Sequence, residues 1–430
     1  MPPARANHRR LIEGEDVRAS VEGIRSAEQR GLPFAGVRVL DFSRILAGPF
    51  CTALMADLGA EVIKVEPPSG DDYRHIGPFK NGRSALFTMM NRGKKSIVLD
   101  LKQADGLKLI QGLAAKADVV VENFTPGVAA RLGIGSEALR ASNPRLVYAS
   151  ISGFGQEGPL ADRPSYDLIA QAMTGMMDVT GDADGPPMRV GESIADLAAG
   201  LYAAWAVATA LFVRERTGRG RHLDIAMFDT LFSLLPTAFA QYAYADTIPH
   251  RVGNRHPLST PFGSYRCADG DAIIAVANDR LFRRLTEVIG EPSLADDPRC
   301  ATDSERTRHE PQVRAAIEAW SGSRPVAEVV AILSQAGIPT AAIWNIAQAA
   351  ESTQVTFRRM VSTIEDAEAG LLKIVEQPVH FSDVERGLLV GAPDLGQHTV
   401  SVLTELLGCD HSSLERLAVA GVIRGVGLTA

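Results

Sequence analysis

Cysteine is scarce and scattered in this 430-residue chain: Cys51, Cys267, Cys300 and Cys409 form no C-x-x-C pair. That spacing offers neither a zinc site nor a disulfide framework, so no metal is expected and a reducing, cytoplasmic location fits best. Excess basic charge is missing too. The 44 Lys and Arg against 51 Asp and Glu leave a net charge of −7, which argues against nucleic acid as the main partner. Local basic patches for a phosphorylated small molecule remain open. Residues 1–30 lack the apolar run of a secretory signal, and Glu13, Glu15, Asp16, Glu22 and Glu28 make them too acidic for a transit peptide. They read as a polar extension, helical in part through Val17, Val21 and Ile24. No G-x-S-x-G, P-loop or H-E-x-x-H sequence occurs, and no histidine lies between His75 and His222. Serine-triad hydrolysis, P-loop nucleotide hydrolysis and zinc proteolysis therefore have no local support.

Long apolar runs are nearly absent. The exception, residues 197–213, is uncharged and alanine-rich but short of the ~20 residues that cross a bilayer. With Asp196 before it and "RERTGRGR" after it, it reads as a helix buried between protein layers rather than in a membrane.

What the chain does have is alternation. From Val37 onward, "VRVLDF", "EVIKVE", "KSIVLDL", "DVVVENF" and "RLVYASI" read as strands, with helices such as 49–58 and 104–116 between them. Continuous apolar strands separated by helices predict an α/β fold, an open doubly wound parallel sheet of Rossmann-like type, with ligands beyond the carboxyl ends of the strands. Residues 167–215 read as helix, loop, helix, and 222–245 as one more long helix. The texture then changes to hairpin strands and short helices over 251–323, a smaller α+β domain. The expected division is a polar extension (1–30), a large α/β domain (31–225), a linker helix with the small domain (226–330) and a C-terminal segment returning to the large domain (331–430).

Four local motifs carry chemistry. "GFGQEG" (153–158) fits G-x-G-x-x-G, but Pro159 and Pro164 keep the chain extended where a dinucleotide site needs a helix N-terminus. "ENFTPGVAARLG" (122–133) places Thr125 to cap a helix beginning at Pro126, with Arg131 about a turn later: a phosphate cradle, or an ordinary strand-to-helix turn. "NRGKKSIVLDLK" supplies Arg92, Lys94, Lys95 and Lys102, either a solvated face or a grip on an adenosine phosphate. "TGDADGPP" (180–187) puts two carboxylates on a Gly-Pro bend; as a calcium loop it fails, because Thr180 and Gly191 stand at the outer ligand positions.

In order with "GVRVLDFSRILAGPFCT", "LGAEVIKVEPPSGD", "LVYASISGFGQEGP", "RPSYDLIAQAMTG" and "ERTGRGRHLDIAM", these motifs make the chain resemble the class III CoA-transferase family, from about residue 36 to about 407. That family also contains the α-methylacyl-CoA racemases. The resemblance implies a CoA-binding α/β domain, a smaller second domain and two chains interlocked as a homodimer. It implies acyl-CoA and a carboxylic acid as substrates, with no tightly bound cofactor. By the same likeness Asp184 is the nucleophile, forming an aspartyl anhydride and then an aspartyl-CoA thioester, with Asp182 and Asp178 as solvated loop charges. CoA contacts carry over to Leu46 and Ala47 at the thioester end, Leu99 and Lys102 on the adenosine side, Asn123 and Phe124, and Arg131 at a phosphate. Ser152, Gly153, Phe154 and Gly155 match the pantetheine loop, and Asp167 a contact near the reaction centre or a helix cap.

Some residues depart from the pattern. Leu46 stands where formyl-CoA transferase has glutamine, no tetraglycine run occurs between 251 and 271, and Pro67 replaces an adenine-side arginine, so an organic acid larger than oxalate or formate is expected. The racemase alternative uses a histidine where Tyr166 stands and a second aspartate matching Asp196; a tyrosine of ordinary pKa near 10 shuttles protons poorly at neutral pH. A non-catalytic acyl-CoA binder is the third reading.

Overall fold

The computed structural model of the chain describes residues 31–366, 368–384 and 390–428. The extension read in residues 1–30 lies outside them. β-branched runs become strands where expected: β1 (Arg38–Asp41) leads to helix α1 (Ala47–Asp57), then β2 (Glu61–Glu66), β3 (Lys95–Leu99), α2 (Ala104–Ala114), β4 (Val119–Glu122) and β5 (Val147–Ser152). Helices α3 (Asp167–Met173) and α4 (Ile194–Thr217) follow, then β6 (His222–Ala226). With the short strand Ile423–Arg424 these make a seven-stranded sheet, ordered Ile423–Arg424, β3, β2, β1, β4, β5, β6. The pairs β1–β2, β2–β3, β1–β4 and β4–β5 are parallel, and the short strand Ile423–Arg424 pairs antiparallel with β3. Its core is built from Leu40, Ile63, Ile97, Leu99, Val120 and Tyr148 of the strands with Ile110 and Leu113 of α2.

The order of this sheet fixes where a ligand belongs. From β1 the chain steps outward to β2 and β3, then returns to place β4 on the other side of β1. The loops leaving β1 and β4 therefore diverge at their carboxyl ends, the switch point where open α/β sheets bind ligands.

The chain divides into two compact units: residues 1–151, 200–224 and 362–430 in one, 152–199 and 225–361 in the other. Residues 152–199, expected in the large domain, thus cluster with the second unit, and the return begins at 362 rather than 331. The second unit has its own antiparallel sheet of β7 (Phe262–Arg266), β8 (Asp271–Ala275) and β9 (Thr340–Ala342). Helices Asp279–Val288, Glu310–Ser321 and Val326–Gln335 cover it through Phe282, Leu285, Val313, Ile317, Val329 and Leu333.

Three local expectations change. The stretch 222–245 is not one helix: His222–Ala226 is a strand, and two helices follow, Met227–Ser233 and Pro236–Ala245, parted where Pro236 forbids helical geometry at Leu235. Thr125 caps no helix, because Gly127 takes a left-handed turn first and only Val128–Arg131 is helical. Helix α4 is only partly buried. Small side chains at 195, 199, 203 and 207 line its packed face, while Leu201, Tyr202, Trp205 and Phe212 are exposed. Among the described residues it is the one helix long and apolar enough to cross a membrane by length and composition.

Candidate active site

In the first unit, the loop from β1 to α1 is built on buried charge. Asp41 accepts from Ser43 N (3.0 Å), Ser43 Oγ, Thr52 Oγ1 (2.7 Å) and Lys94 Nζ (2.9 Å). Burial alone would raise its pKa, but Lys94 and Lys64 overcome this and hold it down to about 2. Arg44 N donates to Asn123 Oδ1 and Asn123 Nδ2 donates to Arg44 O, both at 2.8 Å, so the loops after β1 and β4 are laced together at the switch point. The Arg44 guanidinium lies 5.4 Å from the centre of the Phe124 ring. Glu122 accepts from Phe124 N at 2.8 Å and fixes that turn; burial pushes its carboxyl above the usual range, with Ser150 and Phe124 N opposing.

The expected CoA contacts of this unit are distributed unevenly. Leu46 and Ala47 are buried at the start of α1, and Gly200 brings α4 so close that an added Cβ would lie 2.6 Å from Ala47 O. Asn123 and Phe124 are half-buried beside them, and Arg131 is exposed after the Gly127 turn. Leu99 is otherwise: its side chain is 1% exposed and belongs to the sheet core, which leaves only its backbone for a ligand. Lys102 is exposed on the turn after β3. A cavity of about 360 Å³ bounded by Arg83, Lys95, Asp366, Val390 and His398 shares no residue with this set.

In the second unit, Ser152 Oγ accepts from Gly155 N at 3.0 Å, and Gly155 turns at φ +93°. An added Cβ at Gly153 would sit 2.3 Å from Ser165 Cβ, so the loop needs glycine there. Phe154 packs on Phe228 with ring centres 6.0 Å apart. No helix opens within the glycines; the next one, α3, begins at Asp167.

Asp167 and Asp184 differ sharply in setting. Asp184 is exposed on the α3–α4 loop. That loop is braced from far along the chain: Arg251 donates to Gly185 O (3.1 Å) and Asp178 O (2.8 Å), pairs with Asp178 Oδ1 (2.9 Å), and Gly253 N donates to Gly181 O (3.0 Å). Asp178 and Asp182, expected as solvated charges, are both exposed, and Asp178 is in addition ion-paired to Arg251. Asp167 is 7% exposed and both its oxygens are engaged: Oδ1 accepts from Ala195 N and Oδ2 from Gln171 Nε2, each at 2.7 Å. It therefore does not cap α3, which it begins, but ties the first turn of α4 to it.

In that turn stands Asp196. Burial, then the charge of Asp167, pushes its carboxyl up to about 7, and no cation or hydrogen bond among the described residues opposes them. Perturbed carboxylates of this kind concentrate at functional sites. The sequence placed Asp196 only as the racemase acid. Its clearest signal was local, an acid in the first turn of an apolar helix. Arg251 and Gln171, which hold the intervening loop, gave no local signal at all.

The profile of CoA-transferase family III matches residues 34–399. Acetyl-CoA:oxalate CoA-transferase of Acetobacter aceti is 44% identical over 331 residues, 76% of this chain and 85% of that protein. Succinate–glutarate CoA-transferase of Agrobacterium fabrum is 38% identical, covering 87% of this chain and 96% of that one. The crystal structure of a CaiB/BaiF family protein from Brucella suis superposes with a TM-score of 0.77 at 38% identity, over 87% of this chain and 99% of its own. With a profile match over most of its length and relatives at this identity, the chain belongs to CoA-transferase family III.

Proposed function

We propose that the protein moves CoA from an acyl-CoA donor to a carboxylic acid, with Asp196 rather than Asp184 as the carboxylate that is acylated. One observation carries the choice: Asp196 is a partly buried carboxylate of raised pKa beside the anchored Asp167, whereas Asp184 is exposed on the α3–α4 loop of the chain. A poorly hydrated carboxylate is the better nucleophile, and an anhydride formed there is shielded from water. The ionised Asp196 attacks the thioester carbonyl and CoA thiolate leaves, giving a mixed anhydride. The thiolate attacks the aspartyl carbonyl and expels the donor acid, leaving an aspartyl-CoA thioester. The acceptor carboxylate then attacks that thioester, and the released thiolate attacks the acceptor's carbonyl to give the new acyl-CoA and free Asp196. One thioester replaces another, so the cycle closes with these groups alone.

Succinyl-CoA as donor and a dicarboxylic acid larger than oxalate as acceptor fit the names of two relatives, succinate–glutarate and succinyl-CoA–D-citramalate CoA-transferases, whereas the oxalate relative is named for an acetyl-CoA donor. CoA itself is assigned to the switch-point loops through Leu46, Ala47, Phe124 and Arg131, with Lys102 toward the adenosine end and residues 152–155 at the pantetheine. A homodimer of interlocked chains and a cytoplasmic location complete the reading; free Cys51, Cys267, Cys300 and Cys409 support the latter, and exposed Leu201, Trp205 and Phe212 the former.

Hydroxylamine or borohydride trapping during turnover, followed by peptide mass spectrometry, tests the nucleophile. Modification is expected at Asp196; Asp196→Asn should abolish transfer, and Asp184→Asn should retain most of it. Label at Asp184 with an active Asp196→Asn enzyme reverses the assignment. The racemase reading predicts deuterium uptake at the α-carbon of a branched acyl-CoA in heavy water, and none is expected with Tyr166 in the histidine position.

A further inference from the structure

Ile45, in the loop leaving β1, has φ +68°, the one β-branched residue with positive φ among the described residues. That conformation is sterically disfavoured for any residue with a branched Cβ and persists only where its surroundings over-determine it. Here three side chains, one on a strand and two in loops that follow strands, supply the restraint. Asn123, just past β4, grips both the N–H and the carbonyl of Arg44 at 2.8 Å. Asp71 accepts from Ile45 N at 3.2 Å. Lys64 of β2 donates to Ser43 O at 2.9 Å and pairs with Asp71 at 2.7 Å, with both side chains 1% exposed or less. The backbone of three successive residues is thus held by side chains, immediately before α1, whose N-cap Leu46 has no side-chain cap of its own. Gly48 closes the turn, since a Cβ there would lie 2.2 Å from Ser43 Cβ.

This changes the role read for Asn123. Its carboxamide is committed to Arg44 and is not aimed at a ligand. We propose that Asn123 and Asp71 are positioning residues for CoA transfer: they hold residues 44–47, with Ile45 left-handed, in the shape that receives the thioester end of CoA at the switch point. The inference rests on the reading of Leu46 and Ala47 as the thioester loop.

The test uses the strain itself. In Asn123→Ala, Ile45 is free to leave the left-handed region and carry Leu46 and Ala47 out of place, so kcat should fall roughly 10²-fold, the scale of an ångström-sized misplacement. KM for the acyl-CoA should move by no more than about threefold, because the adenosine and phosphate contacts are separate. Adding Ile45→Gly, which adopts φ > 0 without penalty, should recover about tenfold of the lost kcat. Purely structural damage would not be repaired by a glycine. Unchanged kcat in Asn123→Ala, a loss confined to KM, or no recovery in the double variant overturns the proposal. If circular dichroism shows Asn123→Ala unfolded, Asn123→Asp takes its place under the same criteria, since it keeps the bond from Arg44 N and sets an oxygen against Arg44 O. The hydroxylamine-trapping rate is followed in parallel. No trapping in the wild type sinks the transfer mechanism, whereas equal trapping in wild type and variant sinks only the positioning role.

Discussion

Asp167 and Asp196 divide two duties of a buried carboxylate between them. Asp167 is satisfied by two hydrogen bonds and serves as a fixed negative charge; Asp196 carries the consequence of that charge. With its carboxyl pushed up to about 7, Asp196 is half protonated near neutrality, and only the ionised form attacks a thioester. The acid limb of kcat/KM in the free enzyme should therefore have its midpoint near pH 7. Asp167→Asn removes the charge that opposes ionisation, so the limb should move to lower pH. A limb that stays in place disconnects the two groups. The same shift has a sign in stability. The folded pKa lies above the ordinary value of 3.8, so the folded state holds the extra proton and stability declines as pH rises from about 4 to about 7. Asp196→Asn is relieved of that decline, and its melting temperature should exceed the wild type's by more at pH 8 than at pH 4.

At the scale of elements, the α3–α4 segment is organised by contacts that no local pattern announces. Gln171 of α3 accepts from Val190 N at 2.9 Å and donates to Glu192 O at 3.3 Å, while Arg251 and Gly253 grip the other half of the loop. Arg251→Ala should leave global stability nearly unchanged, speed hydrogen exchange of amides 178–188 and lower kcat/KM; exchange as slow as in the wild type would show the brace to be dispensable. The strands around β1 were legible because β-branched runs bounded by Gly and Pro carry their own signal. Residues 222–245 hide their breaks, because "HLDIA" followed by "MFDTLF" blurs a period of two into one of 3.6, and the apolar pattern runs on across Pro236. Asp167 could be matched by motif, but the weight of Asp196 lies in its burial and in Asp167's charge, and Asn123's partner, Arg44, is 79 residues away. Such pairings are set by tertiary packing.

For the molecule as a whole, large apolar side chains lie in the open. In the first unit, Leu201, Tyr202, Trp205 and Phe212 face outward from α4, with Trp205 66% exposed. In the second, Phe232, Phe239, Tyr242 and Tyr244 do so from the helices after β6. Monomeric soluble proteins rarely leave large apolar patches uncovered, and the proposed homodimer would supply a second copy of the chain as the cover. Sedimentation at micromolar concentration should give twice the 45.9 kDa chain mass. Two chains threaded through one another cannot part without unfolding, so dilution to nanomolar concentration should leave that mass intact, and differently labelled dimers should exchange subunits only after denaturation. Rapid exchange under native conditions would reduce the arrangement to a simple docked pair. A single-chain mass at every concentration would reject the dimer, leaving the exposed face of α4 to some other cover, and Trp205→Glu would then leave transfer unaffected instead of splitting or unfolding the assembly.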